Sequence, residues 1–405
     1  METTRTDRAA AGRRLRDAED GMALIHVGIA IVVLMALSSF VLDYGVLWLS
    51  RVHAQNSADA GALAGATARA FDETTDPPAA DGAAYNSALS AAQSNSVFGA
   101  VPAVTVAWTC PGFVIGTGCV RVDVSNTTLP TFFAQIFGVG SQAIQATATA
   151  QARPANASDC MRPLAVEDRW AEAQTPPWDL SDTFDRYHMN GNRKGQLIAN
   201  PDSYTAPTTD DPGTGFTVAD NYGQQVTLKS GSNFSGGWFQ PVDIPRADGA
   251  SDTGGARYRD NLASCSGIAV SIGDYLALET GNMVGPTTQG ISALIAQDPD
   301  ATWDINTQSI DNTCAPACAP FSPRIIALPL FNPDEFQFDT SNTTWPNCPG
   351  GGSCVHVTNI IGFFVDHMDG NNVVGYLIRY PGVLTSKPGG VGGPSSFVQV
   401  ISLVR

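Results

Sequence analysis

Met22–Leu42, MALIHVGIAIVVLMALSSFVL, is the stretch on which the reading of this chain turns. It runs for 21 residues with His26 as its only titratable group. At about 1.5 Å rise per residue, a helix of that length spans roughly 31 Å, the thickness of a bilayer's hydrocarbon core. The residues before it, METTRTDRAAAGRRLRDAED, hold five Arg, whereas the first fifteen residues after it hold only Arg51. Basic residues stay on the cytoplasmic side, so residues 1–20 are expected in the cytoplasm and 52–405 outside it; the acids in the same tail contribute little to orientation. A cleaved signal peptide would have an apolar core of about 7–15 residues ending at a small-x-small site. Here the run is longer, and Ala-rich sequence follows only after Asp43, Trp48 and Arg51, so an uncleaved transmembrane helix is expected over 21–43.

The helical pattern does not stop at the membrane. Residues 44–71 contain no Pro, and Ala recurs at nearly every second position from Ala54 to Ala70, a strongly helix-forming composition. Tyr44 and Trp48 sit where interfacial aromatics belong. Small side chains favour close helix-to-helix approach, and Ala58, Ala62 and Gly65, at i, i+4 and i+7, share one face. They are the candidates for packing against a partner helix, the alternative being a passive spacer.

An apolar helix led by basic residues and Asp20-Gly21, then Val41-Leu42-Asp43-Tyr44-Gly45, then Gln55-Asn56-Ser57-Ala58-Asp59-Ala60-Gly61-Ala62-Leu63-Ala64, resembles the N-terminal segment of the TadE/TadG-like family of Flp (tight-adherence) pilus-assembly proteins. The resemblance is closest over residues 12–71 and looser over 72–155. It implies a bacterial, membrane-anchored component of type IVb pilus machinery. Type IV prepilin-like members carry Glu five residues after the cleavage-site Gly, and here Gly21 is followed at that distance by His26, which leaves the peptidase pattern incomplete. Some TadG-like proteins also carry a von Willebrand A domain with a D-x-S-x-S metal site. Asp123-Val124-Ser125-Asn126-Thr127 lacks the second Ser and no βαβ series surrounds it, so that domain is not expected here.

Beyond the stalk, Ala79–Ala92 reads as a second short helix, after which the period changes from 3.6 to 2. Val104, Val106 and Trp108, then Val120, Val122 and Val124, alternate with polar or small residues and predict two strands. Pro130–Gly138 predicts a short helix with Pro at its start and Gly past its end. Ile144, Ala146, Ala148, Ala150 and Ala152 alternate with polar residues in a third strand. Composition changes at Ala152-Arg153-Pro154, which places a boundary near 155–160. The rest reads as mostly strand and loop, with strands at Ile325–Leu330, Val355–Val365, Val373–Tyr380 and Phe397–Val404, a turn at Asp369–Asn372, and a helix at Thr288–Gln297 capped by Thr287 or Thr288. The expected architecture is α+β: a cytoplasmic tail (1–20), a transmembrane helix (21–43), an Ala-rich helical stalk (44–71), a small α+β domain (72–155), and a mostly β, disulfide-bonded outer domain (156–405).

The compartment decides how the eight cysteines are read. Outside the cytoplasm, Cys110, Cys119, Cys160, Cys265, Cys314, Cys318, Cys348 and Cys354 are disulfide candidates. Proximity favours 110 with 119, 314 with 318 and 348 with 354, leaving 160 with 265. The competing zinc reading, with four thiolates from Cys314-x3-Cys318 and Cys348-x5-Cys354, fits the usual ligand spacing poorly.

The sequence carries few signatures of catalytic or ligand chemistry. The sequence has no G-x4-G-K-S/T, H-E-x-x-H or G-x-S-x-G and no calcium loop of the D-x-D-x-D-G kind, so no catalytic, cofactor or metal residue is assigned and no cofactor is expected. His367 lies beside Asp366, but adjacent strand residues point to opposite faces, which argues for a solvated turn flank. Gly281–Gly290 reads as a Gly-rich loop feeding a helix, with anion binding by its N–H groups as the alternative. Asp210-Asp211 and Asp248/Asp252 read as solvated turns, with extracellular calcium as the alternative. A net charge of −16 excludes nucleic acid as a partner, since phosphate-backbone affinity needs clustered Lys and Arg.

Three classes of function follow. The first is a structural or assembly component of a Flp/Tad pilus and secretion system, with the membrane and other pilus-assembly proteins as partners and homo-oligomerisation as a further option. The second is a surface-displayed adhesin or ligand-binding module on the same anchor. The third, an anchored extracytoplasmic enzyme, is disfavoured by the missing motifs.

Overall fold

A computed structural model describes residues 4–72, 78–110, 118–230, 238–245, 254–281, 283–315, 317–319, 321–387 and 396–404. The chain divides into two compact units, one of residues 1–151 with 402–405 and the other of residues 152–401. The architecture is α+β.

In the first unit, α1 is one continuous helix, Thr4–Phe71. Its course after the apolar run depends on Ala and Gly, which let a second helix, α2 (Ala83–Ser94), lie close along it. Strands β1 (Ala103–Ala107), β2 (Cys119–Pro130) and β3 (Ser141–Pro154) form an antiparallel meander. The alternation expected from the sequence sets its faces: Val120, Val122 and Val124 of β2 and Ile144, Ala148 and Ala150 of β3 are buried. The short helix expected within Pro130–Gly138 is one 3-10 turn, Ala134–Phe137, closed by Gly138 in the left-handed region at φ 84°.

The second unit is organised by a sheet that closes on itself. Its strands are β4 (Leu164–Glu167), β5 (Gln225–Ser230), β6 (Trp238–Pro241), β7 (Tyr275–Ala277), β8 (Ile325–Phe331), β9 (Cys354–Asp369) and β10 (Asn372–Ile378). The order β8-β4-β6-β5-β10-β9 returns to β8, because β8 pairs in parallel with β4 on one edge and antiparallel with β9 on the other. Six strands therefore form a barrel, and β7 adds to the start of β9. Alternate residues of all six strands converge on one core: Leu164 and Val166, Val226 and Leu228, Phe239, Ile326 with Leu328 and Leu330, Ile361 with Phe363 and Val365, and Val373 with Leu377. Helices α3 (Gly255–Ala263) and α4 (Val284–Ile295) add Tyr258, Leu262, Ile291 and Leu294 to it. A third helix, α5 (Pro333–Asn342), starts on Asn332, whose side chain accepts from the N–H groups of Asp334 and Glu335.

The helix expected at Thr288–Gln297 begins four residues earlier, at Val284. Pro286 falls in its first turn, where the missing N–H has no partner to lose, so the helix accommodates it. The Gly-rich segment is largely helix, and Gly290 serves packing: a Cβ there would stand 2.6 Å from Leu262 Cβ and 2.8 Å from the Arg259 carbonyl oxygen on α3. Asn282 lies outside the described residues, as do Asp248 and Asp252. Arg324, buried, holds the barrel's β8 entry in place; it donates through Nε to Val365 O at 2.8 Å and through Nη1 to Asp298 O and Ala301 O at 2.9 and 2.6 Å.

The structure pairs all eight cysteines, as Cys110–Cys119, Cys160–Cys265, Cys314–Cys318 and Cys348–Cys354.

Candidate functional site

The feature with the clearest functional chemistry is α1, and its two halves behave differently. From Met22 to Leu49 nearly every apolar side chain is exposed, among them Leu24, Ile29, Leu34, Leu37 and Phe40. Among the described residues this is the one helix long and apolar enough to cross a membrane. From Ala54 onward one face is covered: Ala54, Ser57, Ala58, Ala62 and Ala66 are fully buried.

The cover comes from the chain itself. A Cβ on Gly61 would stand 2.9 Å from Ala92 Cβ and 3.2 Å from Val122 Cγ1, and one on Gly65 would stand 2.8 Å from Ala88 Cβ and 2.9 Å from Val120 Cγ1. Ser57 Oγ donates to Ala92 O at 2.8 Å. Ala84, Ala88 and Ala92, spaced by four, form the facing stripe of α2. The face holding Ala58, Ala62 and Gly65, offered by the sequence to a partner helix, is thus occupied by α2 and β2. Further along, Arg69 donates to Cys119 O at 2.7 Å and lies over the Trp108 ring.

In the barrel unit, polar groups gather in two places. A cavity of about 400 Å3 is lined by Pro207, Ile272, Asp274, His356, Thr358 and Lys387 among others. His356 Nδ1 lies 2.7 Å from Glu335 Oε2, the Tyr275 hydroxyl donates to Glu335 Oε1 at 3.0 Å, and the Tyr275 and His356 rings stack. The imidazole hydrogen bond, with the Tyr275 and Asn347 bonds beside it, holds the Glu335 carboxyl below its usual range against the opposing effect of burial. Lys387 bridges Asp274 at 2.9 Å. Sequence reasoning missed this cluster because its members come from separate elements with no common spacing.

The second place is buried. Asp168 accepts from Phe216 N at 2.8 Å, Arg169 N at 2.9 Å and the Tyr204 hydroxyl at 3.0 Å, and Gly215 lets it approach this closely. Burial pushes its carboxyl up to about 6, opposed by those hydrogen bonds. The Tyr204 hydroxyl reaches on to Thr358 at 2.7 Å, so the network pins the loop before Phe216 to β9. Next to it, Glu167 is buried with both carboxylate oxygens unpartnered, and burial raises its pKa well above the usual 4.5.

A raised carboxyl pKa costs stability as pH rises: the full stability is present below about pH 4.5, where the unfolded carboxyl is also protonated, and it is lost as pH climbs towards the folded value. Glu167→Met, similar in size and without a charge to bury, is therefore expected to stabilise the protein by about 1–3 kcal/mol near pH 8. Thermal melts at several pH values check this. The gap between variant and parent should widen from about pH 5 to pH 8; a constant gap or a less stable variant would show that Glu167 is ionised and solvated.

His367 and Asp366 differ from their expectation. Strand alternation predicts opposite faces, but the β9–β10 register shifts between Val365 and His367, and His367 Nδ1 lies 2.8 Å from Asp366 Oδ2. A bulge places two successive side chains on the same side. The pair is largely open to solvent on the His side. Asp210 and Asp211 are exposed, with Asp211 closing its own turn onto Gly213 N. Asp123 lies within β2, where it bridges Arg121 and accepts from Thr147. Among the described residues no group of three or more His, Cys, Asp or Glu is arranged to hold a metal ion.

No curated protein and no solved structure matches the chain. Residues 21–68 match the family model Tad, described as putative Flp pilus-assembly TadE/G-like, and the match covers the exposed apolar half of α1 and most of its packed half.

Proposed function

We propose that the protein is a structural or assembly component of a Flp/Tad (type IVb) pilus and secretion system, anchored by Met22–Leu42 with residues 1–20 in the cytoplasm and 52–405 outside. The observation that carries this reading is α1: an apolar, fully exposed half of bilayer length, continuous with a half packed in a folded unit, both within the segment matching the Tad family. The Arg-rich tail supports the orientation. Four disulfides support an oxidising space for the rest of the chain. The family suggests a structural, non-enzymatic role, in which the barrel unit makes contacts with other components.

Alkaline phosphatase fused after Arg51 or Pro154 is expected to be active, and green fluorescent protein fused at the same sites dark. The reverse pattern would overturn the orientation. Deletion of the gene should abolish piliation, with full-length protein restoring it. The cavity around His356 favours one alternative, a ligand-binding module on the same anchor; that reading predicts normal pili and lost attachment in the deletion strain.

A further inference from the structure

Asp43 is the first residue past the apolar run, and it does not face solvent alone. Its carboxylate accepts backbone N–H groups from three consecutive residues of the β2–β3 loop: Phe132 at 2.8 Å, Phe133 at 3.1 Å and Ala134 at 2.7 Å. These are donors left open at the start of the 3-10 turn, for which a carboxylate is the natural partner. The loop also closes on itself, with the Thr131 hydroxyl donating to Val139 O and the Gln135 amide to Thr131 O. A compact hairpin tip is thereby clamped to one level of α1.

That level is the outer surface of the bilayer. Asp43 lies one residue, about 1.5 Å, beyond a 21-residue apolar span, and the headgroup region on each side is roughly 5–7 Å thick. Residues held by their backbone against this carboxylate share the depth at which Tyr44 stands exposed on α1. The loop sequence suits that depth: PTFFAQIFGVG, 130–140, has no charged residue, and Phe132 is 56% and Val139 44% exposed. Neither side chain has an aqueous reason to be there, whereas aromatic and apolar groups at a bilayer interface are stabilised.

We propose that the β2–β3 loop is a second membrane contact, inserting Phe132 and Val139 into the headgroup region beside α1, with Asp43 as the clamp that sets its depth. The partner is the lipid surface. A helix alone rotates and tilts freely; a clamped apolar loop beside it would fix the first unit's orientation on the membrane. The proposal rests on Met22–Leu42 spanning the bilayer.

Because the disulfides take all eight cysteines, one introduced thiol is a unique site for a nitroxide label. The full chain would be reconstituted in phosphatidylcholine–phosphatidylglycerol vesicles, and collision with oxygen, enriched in lipid, compared with collision with a polar nickel chelate. Phe40→Cys, on the apolar run, and Thr67→Cys, exposed and roughly 40 Å further along the helix, bracket the scale. At Phe132→Cys the oxygen-to-nickel ratio is expected to lie severalfold above that at Thr67 and close to that of Tyr44→Cys. Adding Asp43→Ala should return the Phe132 label towards the aqueous value and leave the Phe40 label unchanged. An aqueous Phe132 label with a lipid-exposed Phe40 label would overturn this inference alone, as would a Phe132 depth indifferent to Asp43→Ala. An aqueous Phe40 label would overturn the membrane anchor, and the loop contact with it.

Discussion

Gly65→Leu is expected to unfold the first unit's helix pair, destabilising it by at least about 3 kcal/mol, the upper end of the usual cost of overpacking. The reason is the space around Gly65. A Cβ alone would stand 2.8 Å from Ala88 Cβ and 2.9 Å from Val120 Cγ1, so the remaining atoms of a Leu side chain have nowhere to go unless α2 or β2 moves away. Ala60→Leu, at a half-buried position on another face, should change stability by less than about 0.5 kcal/mol. Trypsin provides the measurement, because the Arg69 guanidinium is held on Cys119 O in the folded unit. Cleavage after Arg69 in the full-length protein should become fast in Gly65→Leu and stay slow in Ala60→Leu. If Gly65→Leu kept its protection but lost co-purifying pilus components, the glycine face would serve an external partner helix after all.

Removing Cys160–Cys265 by a double Ser substitution is expected to be the most damaging change to the second unit. The bridge joins residues 105 apart, whereas the other three join residues 9, 4 and 6 apart. In the chain-entropy description, closing a loop of about 100 residues stabilises by about 4.7 kcal/mol and closing the short loops by about 2–3 kcal/mol. For a unit of this size, the larger figure corresponds to a fall in Tm of roughly 10–20 °C. Thermal unfolding of the full chain in detergent, with the Cys314→Ser/Cys318→Ser pair as comparison, is the check. Equal losses in the two double variants would mean that the unfolded chain already holds residues 160 and 265 close together. Alkylation of the unreduced parent protein, read by mass spectrometry, should find no free thiol.

Much of this protein is legible before any tertiary contact is considered, because some signals are complete within a short window. The apolar run Met22–Leu42 needs only its length and its lack of charge, and the helical stalk after it needs only its Ala content and absence of Pro. The alternation in β2 and β3 depends on a period of two and so identifies their buried faces, and the Asp369–Asn372 turn carries its own glycine, Gly370, at φ 60° between β9 and β10.

What the sequence leaves open is which face meets which. Apolar-rich runs mark Ile325–Leu330 and Val355–Val365 as strands without saying that β8 pairs with both β4 and β9, and it is this double pairing that turns a set of strands into a barrel. The stripe Ala58, Ala62, Gly65 announces a close neighbour but carries no address, since Ala and Gly pack against any surface smooth enough to approach; α2 and β2 supply it at a distance no local pattern encodes. Asp366 and His367 come together because one extra residue in β9 breaks the two-residue period, and Glu335, His356 and Tyr275 because α5, β9 and β7 converge. Asp43 reads as the end of a hydrophobic segment until the loop some ninety residues later is seen to offer it three N–H groups. The sequence by itself thus determined those elements whose signal is local, such as α1, β2, β3 and β8–β10, but not β4–β7, α3 or α5, whose short or irregular patterns carry no clear period. Only the tertiary structure decided the partners of each element, because pairing is chosen by the mutual fit of surfaces that lie far apart along the chain.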